Sequence, residues 1–309
     1  MKRIILFTAA LTCVAAIKAQ TVTDTLRQQH LDEVVVAGVR APKSAPYAVS
    51  NIKKTEIEAF SKSGRELPFL LSQTPGVLAW GENGLGTGTA AMRIRGAAGS
   101  RINITLDGVS LNSPEDQTVF WANMNSYASL MNSVQIQRGI GTSTNGDGAF
   151  GGSISLATAT PNQQPSAEVS GSFGTYNTYN TGVKFSTGLL GNHFVFDGAY
   201  HETATDGFLH GTAGRSGSYY GGLAYLGDNF QIRYKNIGNF EKTGQAWNGV
   251  VAGNNDASLM GSDIKTYKDL YERGLGRFNP LYEGLMFDYD KWSFPTDANG
   301  KYQTYRYKM

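Results

Sequence analysis

Arg101-Ile-Asn-Ile-Thr-Leu-Asp-Gly-Val-Ser-Leu111 is the stretch that decides how the first half of this chain folds. Ile102, Ile104 and Leu106 alternate with polar residues, the period of a strand with one face against a core. Asp107-Gly108 is a two-residue turn signal, and Val109-Ser-Leu111 resumes the pattern beyond it, so the segment predicts a hairpin. Met92-Arg-Ile-Arg95 before it and Ser133-Val-Gln-Ile-Gln-Arg138 after it alternate in the same way. The Gly-rich run Gly139 to Gly152 then leads into a further strand, Ser153-Ile-Ser-Leu-Ala157. Upstream, Thr55 to Phe60 reads as a short helix, and Gly64 to Leu71 as a second one that starts or bends near Pro68. Together these predict a small α+β domain ending near Thr160, with Pro161-Asn-Gln-Gln-Pro165 as a linker.

Beyond the linker the pattern changes to aromatic-rich strands with polar alternation, at 167–176, 181–188, 193–201, 218–226 and 230–238. Phe230, Ile232 and Tyr234 alternate with Gln231, Arg233 and Lys235, and Val183 and Phe185 with Lys184 and Ser186. Each strand therefore has one apolar and one wet face. A β-sandwich shares that period, but these runs approach the ~9–11 residues of a tilted membrane-spanning strand. Tight links at Gly188 to Asn192 and Gly227 to Asn229, set against a long segment at 202–217, suggest short periplasmic turns and long external loops. Asn177 to Asn180 is short for an external link.

The N-terminus carries Lys2 and Arg3, an apolar run from Ile4 to Ala16, and Lys18-Ala19-Gln20, the order of a secretory signal cleaved after Ala19. The run is too short for a membrane anchor, which takes about 20 apolar residues. Cys13 is the only cysteine; it fits poorly as a lipidation site, and after cleavage no disulfide can form. A net charge of +2 is too balanced for a nucleic-acid binder. The 38 glycines in 309 residues exceed the usual ~7%, and the 17% charged residues fall short of the usual ~25%, which favours a turn-rich β chain.

Asp32-Glu-Val-Val-Val36 is a β-prone run placed either to add as a strand to a partner's sheet edge or to form an ordinary first strand. Leu31-Asp-Glu-Val-Val-Val-Ala-Gly38 resembles the TonB box of TonB-dependent outer-membrane receptors. Further resemblances follow in order. Leu70-Leu-Ser-Gln-Thr-Pro-Gly-Val77 is similar to the plug's "LLxxxPGV" segment, and Arg93-Ile-Arg-Gly96 with Leu106-Asp-Gly-Val109 to its "xRG…LDGVPxN" core. Gln135-Ile-Gln-Arg-Gly139 with Asn145-Gly-Asp-Gly-Ala-Phe-Gly-Gly-Ser-Ile154 resembles the segment that closes the plug. Ser110, Ile140 and Asn145 depart from the usual proline, proline and tyrosine.

The resemblance implies a signal peptide over 1–19, a TonB-box segment over 20–38, an α+β plug over 39–160, and over 161–309 the first strands of an antiparallel transmembrane β-barrel that closes with about 22 strands. It implies active import across the outer membrane, driven through TonB with ExbB–ExbD, of an iron chelate before cobalamin or a glycan. Residues 20–30 leave no room for an added signalling domain. A passive structural or adhesive barrel is the rival reading, and Asp32, Glu33, Val34, Val35 and Val36 argue against it. Five strands cannot close a barrel, so the gene is expected to continue past Met309 or the copy to be inactive.

Arg93, Arg95, Arg101, Asp107 and Arg138 are candidates for ion pairs within the plug or to the wall, with Arg95 and Arg138 favoured as bridges; otherwise they are solvated strand faces. Gly96 and Gly108 belong to the plug motifs, and Gly139, Gly141, Gly146, Gly148, Gly151 and Gly152 permit positive φ and tight backbone approach. Trp80, Glu82, Asn83, Glu115, Asp116, Phe120 and Trp121, with loop 202–217, are the expected cargo contacts. No cofactor is expected. Gly139-x-Gly141 lacks a nucleotide fingerprint, Asn145-Gly-Asp147-Gly offers too few oxygens for calcium, and His30, His193, His201 and His210 form no ligand cluster. No nucleophile, base and orienter can be assembled, so the chain reads as a non-enzyme.

Overall fold

The computed structural model describes residues 40–244, apart from 43, 89, 125, 141–148 and 228, together with residues 246, 266, 268, 272, 277 and 279. The signal segment, the TonB-box run 32–36, the middle of the Gly-rich run and most of the last 65 residues lie outside this set.

Two sheets organise the described chain. The first is five-stranded, in the order β1 (Ala48–Ile52), β6 (Met131–Arg138), β7 (Gly152–Thr158), β4 (Ile102–Leu106), β5 (Val109–Ser110). All its pairings are antiparallel except β4 with β7, which run parallel. Every residue of β7 is buried, as suits a strand between two neighbours with both faces covered. Helices α1 (Lys54–Ser61) and α2 (Leu67–Leu71) and the antiparallel pair β2 (Val77–Gly81) and β3 (Ala90–Ile94) complete the domain. Glu56 closes the first turn of α1 by accepting the Lys53 N–H at 2.9 Å. Pro68 sits in the first turn of α2, where its missing N–H costs nothing. Ile57, Leu67, Leu70, Leu71, Ile94, Ile136 and Leu156 form the buried centre.

The second sheet is a meander in the order β12-β11-β10-β9-β8: β8 (Ser166–Phe173), β9 (Tyr179–Ser186), β10 (Phe194–Thr205), β11 (Gly214–Leu226) and β12 (Gln231–Thr243), each antiparallel to its neighbours. The register places Val169, Val183, Tyr200, Tyr219 and Gly238 in one row and Phe196, Leu223 and Tyr234 in another, all on the same face. That face is exposed; Val169 is 80% accessible. The opposite face carries Lys184, His201, Thr203, Ser218 and Lys235 and lies against the first domain, where Ala199, Tyr220 and Ile237 touch its core. The alternation predicts two unlike faces, and the strands run wet-in and greasy-out.

Segment 202–217 is not one long loop. Residues 202–205 and 214–217 pair with each other as strand, leaving a link of 206–213. The Thr, Ser and Gly residues there look like loop by composition, but strand pairing needs only backbone groups and alternate small side chains facing the domain within. The links are 174–178, 187–193, 206–213 and 227–230, so their lengths carry little of the asymmetry the sequence suggests. Strands β1 and β2, and the short 3-10 turns at Trp121–Met124 and Tyr127–Leu130, have no clear signal in the sequence.

Candidate functional site

Asp107 and Gly108 both have positive φ, 49° and 84°, the conformation a two-residue hairpin between β4 and β5 demands. The turn projects the Asp107 carboxylate toward β7, where Oδ1 accepts the Thr158 N–H at 2.8 Å and Oδ2 the Thr158 hydroxyl at 2.7 Å. Lys235 of β12 reaches the same Oδ2 at 2.9 Å and also donates to Thr158 Oγ1 at 2.9 Å. Both side chains of this ion pair are largely buried. It joins the inner domain to the strand wall, one of the two kinds of ion pair, within the domain or to the wall, for which Asp107 is a candidate in the sequence.

Arg95 and Arg138, the favoured bridges, both lie within the inner domain. Arg138 donates to the Pro75 carbonyl at 2.8 Å and to Ser50 Oγ at 3.3 Å, linking β6, β1 and the loop before β2. Arg95 has φ 50° and, with Gly96, forms a turn in which Ile94 and Ala97 exchange backbone hydrogen bonds; its side chain lies beside Gly76 and Gly139. Neither forms an ion pair among the described residues. A charge at a strand end can point along the domain or across to the wall, and alternation does not distinguish the two. Arg93 lies 5.8 Å above the Trp80 ring, and Arg101 uses its carbonyl to hold Gly151 N–H. A side chain at Gly152 would meet the Gln137 carbonyl, and one at Gly151 the Ala97 methyl, so these glycines serve close packing.

Further contacts cross from domain to wall. Ser172 Oγ donates to the Lys62 carbonyl at 2.6 Å. Gly84 packs on Phe208, and Gly88 on Thr243. Glu66 is 1% exposed, and no donor meets its two oxygens at hydrogen-bonding geometry among the described residues. Burial, reinforced by the Glu241 carboxylate on the wall, pushes its pKa up to about 8 against the smaller opposing effect of the Ala90 and Gly88 N–H groups.

The expected cargo contacts separate into two groups. Trp80 is 39% and Phe120 60% exposed, Glu115 and Asp116 face solvent, and Glu82 is half-buried. The Thr118 N–H at 3.0 Å holds the Asp116 carboxyl below the usual range. Asn83 and Trp121 are corrected. Asn83 is 2% exposed and folds its own loop, donating to Thr87 Oγ1 and accepting from the Leu85 and Gly86 N–H groups. Trp121 is 5% exposed and belongs to the core. At the end of the wall where Gly84 meets Phe208, Tyr176 packs edge-on to Phe208 at 5.5 Å and the Arg277 guanidinium covers both rings. The sequence offers no signal for that cluster, whose three members are drawn from a span of about a hundred residues.

Residues 41–153 match the family model described as the TonB-dependent Receptor Plug Domain. No curated protein matches the chain. Among solved structures, FpvA of P. aeruginosa bound to heterologous pyoverdines is 16% identical with a TM-score of 0.57, over 69% of this chain and 28% of that one. The ferric yersiniabactin uptake receptor FyuA from Yersinia pestis is 16% identical with a TM-score of 0.53, over 71% and 35%. The copper transporter OprC is 13% identical with a TM-score of 0.51, over 66% and 32%. The chain spans about a third of the length of these structures, and the likeness shows a shared fold.

Proposed function

We propose that this chain belongs to an outer-membrane importer that takes up an iron chelate through TonB-driven displacement of a plug, the domain whose family model residues 41–153 match. The observation that carries the reading is the seating of the plug on the wet face of the wall, joined by Asp107–Lys235 and Ser172–Lys62. A plug that must leave a watery lumen and return is best held by polar contacts, which water can replace as they break. The outward face with Val169, Val183, Phe196, Leu223 and Tyr234 suits contact with lipid.

In this reading Asp32 to Val36 add as a strand to the periplasmic domain of TonB, which ExbB–ExbD energise. Trp80, Glu82, Glu115, Asp116 and Phe120 are the plug groups offered to cargo. The chelate class is favoured by relatives whose names record ferric cargo, and a bare metal, as with the copper transporter, is the alternative. Val35→Pro removes a backbone donor from the added strand. Energised uptake of a ferric chelate is expected to disappear in that variant and on deleting residues 32–36, while cargo binding to the cell surface persists. Undiminished uptake in both would sink the proposal and favour a passive barrel.

A further inference from the structure

The described chain begins with a clasp. Arg40 lies across the plug sheet and donates four hydrogen bonds to the adjacent interior strands β6 and β7: Nε to Ser155 Oγ at 3.2 Å, Nη1 to Ser133 Oγ at 2.9 Å, and Nη2 to the Ser133 and Ser155 carbonyls at 3.2 and 3.1 Å. Ala41 follows, with its N–H donating to Gln135 Oε1 at 2.6 Å and its carbonyl accepting from Gln135 Nε2 at 3.1 Å. The Gln135 amide thus imitates a neighbouring strand. It is buried and braced by Asn51 and Gln137. The register of β6 shifts between Met131 and Ser133, and such a bulge bends a strand and re-aims its side chains where Arg40 docks.

The direction of the chain gives the clasp its meaning. Asn51 of β1 pairs with Gln135, and Ala48 with Arg138. Residues 40–41 therefore dock at the Ile52 end of the sheet, the chain travels to the Ala48 end, and β1 returns alongside β6. Were tension on residues before Arg40 to reach β1 directly, it would enter at Ala48 and peel an edge strand one pair at a time. The clasp intercepts it and delivers it to β6 and β7, in the middle of the sheet.

We infer that Arg40 is a positioning residue for force: the anchor through which a pull on the preceding segment loads the centre of the plug sheet. The role rests on the proposed function, because it needs a puller at residues 32–36. The planar guanidinium fork suits the task, since it meets several acceptors at once in a fixed geometry that a lysine cannot copy.

Single-molecule pulling of the full chain in lipid tests the clasp without TonB. With the N-terminus as one handle, the intact chain should show an early rupture that frees residues 40–47, a gain of up to about 27 Å of extended chain, before β1 peels. Arg40→Ala and the charge-preserving Arg40→Lys should both lose that early step. With the handle moved past the clasp to a cysteine at Lys54 (Lys54→Cys with Cys13→Ser), Arg40→Ala should change nothing, whereas a general loss of stability would lower the forces in both geometries. Persistence of the early step in Arg40→Ala, or equal effects from both handles, overturns the inference. Binding of the TonB periplasmic domain to the same chain is measured separately. Its absence, with the early step intact, removes the puller and overturns the loading role through the functional reading and not through the clasp.

Discussion

The plug sheet and the strand wall use similar residues with opposite orientation. In the plug, Ile102, Ile104, Ile136, Ile154 and Leu156 point at one another, and water is kept at the margins. In the wall, Val169, Val183, Phe196, Leu223 and Tyr234 point away from everything described, and the polar side chains turn inward. A strand's period reveals that it has two different faces, but the solvent on each face decides which one is the core.

The largest test of that contrast lies on the seam between the two regions. Lys235→Ala leaves the Asp107 carboxylate largely buried with its cation gone, and removing one partner of a buried pair costs about 3–5 kcal/mol. Thermal melting in detergent should show the loss. Lys235→Ala combined with Asp107→Asn should recover part of it, and a single variant that melts like the parent would mean that the seam is not held here. Next in size, Leu156→Ala in the plug should cost about 2–5 kcal/mol through the cavity left in a close-packed core. Phe196→Ala on the wall, though a larger truncation, should cost far less because that side chain is 46% exposed where Leu156 is fully buried. Equal losses would erase the distinction between the two sheets.

Leu223→Arg sharpens the contrast from the other side. On a lipid-facing row a cation costs about 2–4 kcal/mol at the bilayer midplane, and the penalty should shrink when lipid is exchanged for a water-rich medium. A penalty unchanged by the medium would place that row against protein. The most gradual effect comes from Glu66, whose folded pKa is raised from 4.5 to about 8. A raised carboxyl binds its proton more tightly when folded, so its contribution is complete below about pH 4.5 and is lost as pH climbs through about 8, at no more than about 1.4 kcal/mol per pH unit. Protection of the plug sheet against hydrogen exchange, taken relative to the intrinsic amide rate at each pH, should therefore fall between those limits in the parent chain. Glu66→Gln should flatten the response, and a parent profile flat from pH 5 to 8 would contradict the buried, like-charged pairing with Glu241.

Much of this arrangement is legible in the sequence because it is local. Asp107-Gly108 dictates its own turn, Pro68 marks the start of a helix, and Phe230 to Lys235 announce two unlike faces within six residues. What escapes is set by distant partners. Asn83 looks like a polar loop tip until its amide is seen holding Thr87, and Trp121 like an exposed aromatic until the core closes over it. Residues 202–205 and 214–217 are strand because each pairs with the other, and composition carries no trace of that. Arg95 and Arg138 belong to recognisable motifs, but a motif names a residue without naming its partner.

The parallel pairing of β4 with β7 has a consequence in time. Ile102 sits beside Gly152 and Leu106 beside Leu156, so some fifty residues must be in hand before either contact can form. Loop closure over such a span precedes any reward from pairing, and non-local parallel pairing is slow to nucleate. The β4–β5 hairpin can assemble early on its own turn, but it must wait with Asp107 uncovered until Thr158 arrives. Strand β7 is thus the piece on which completion of the first sheet waits: a chain made from its N-terminus exposes a half-built sheet until that last strand has emerged.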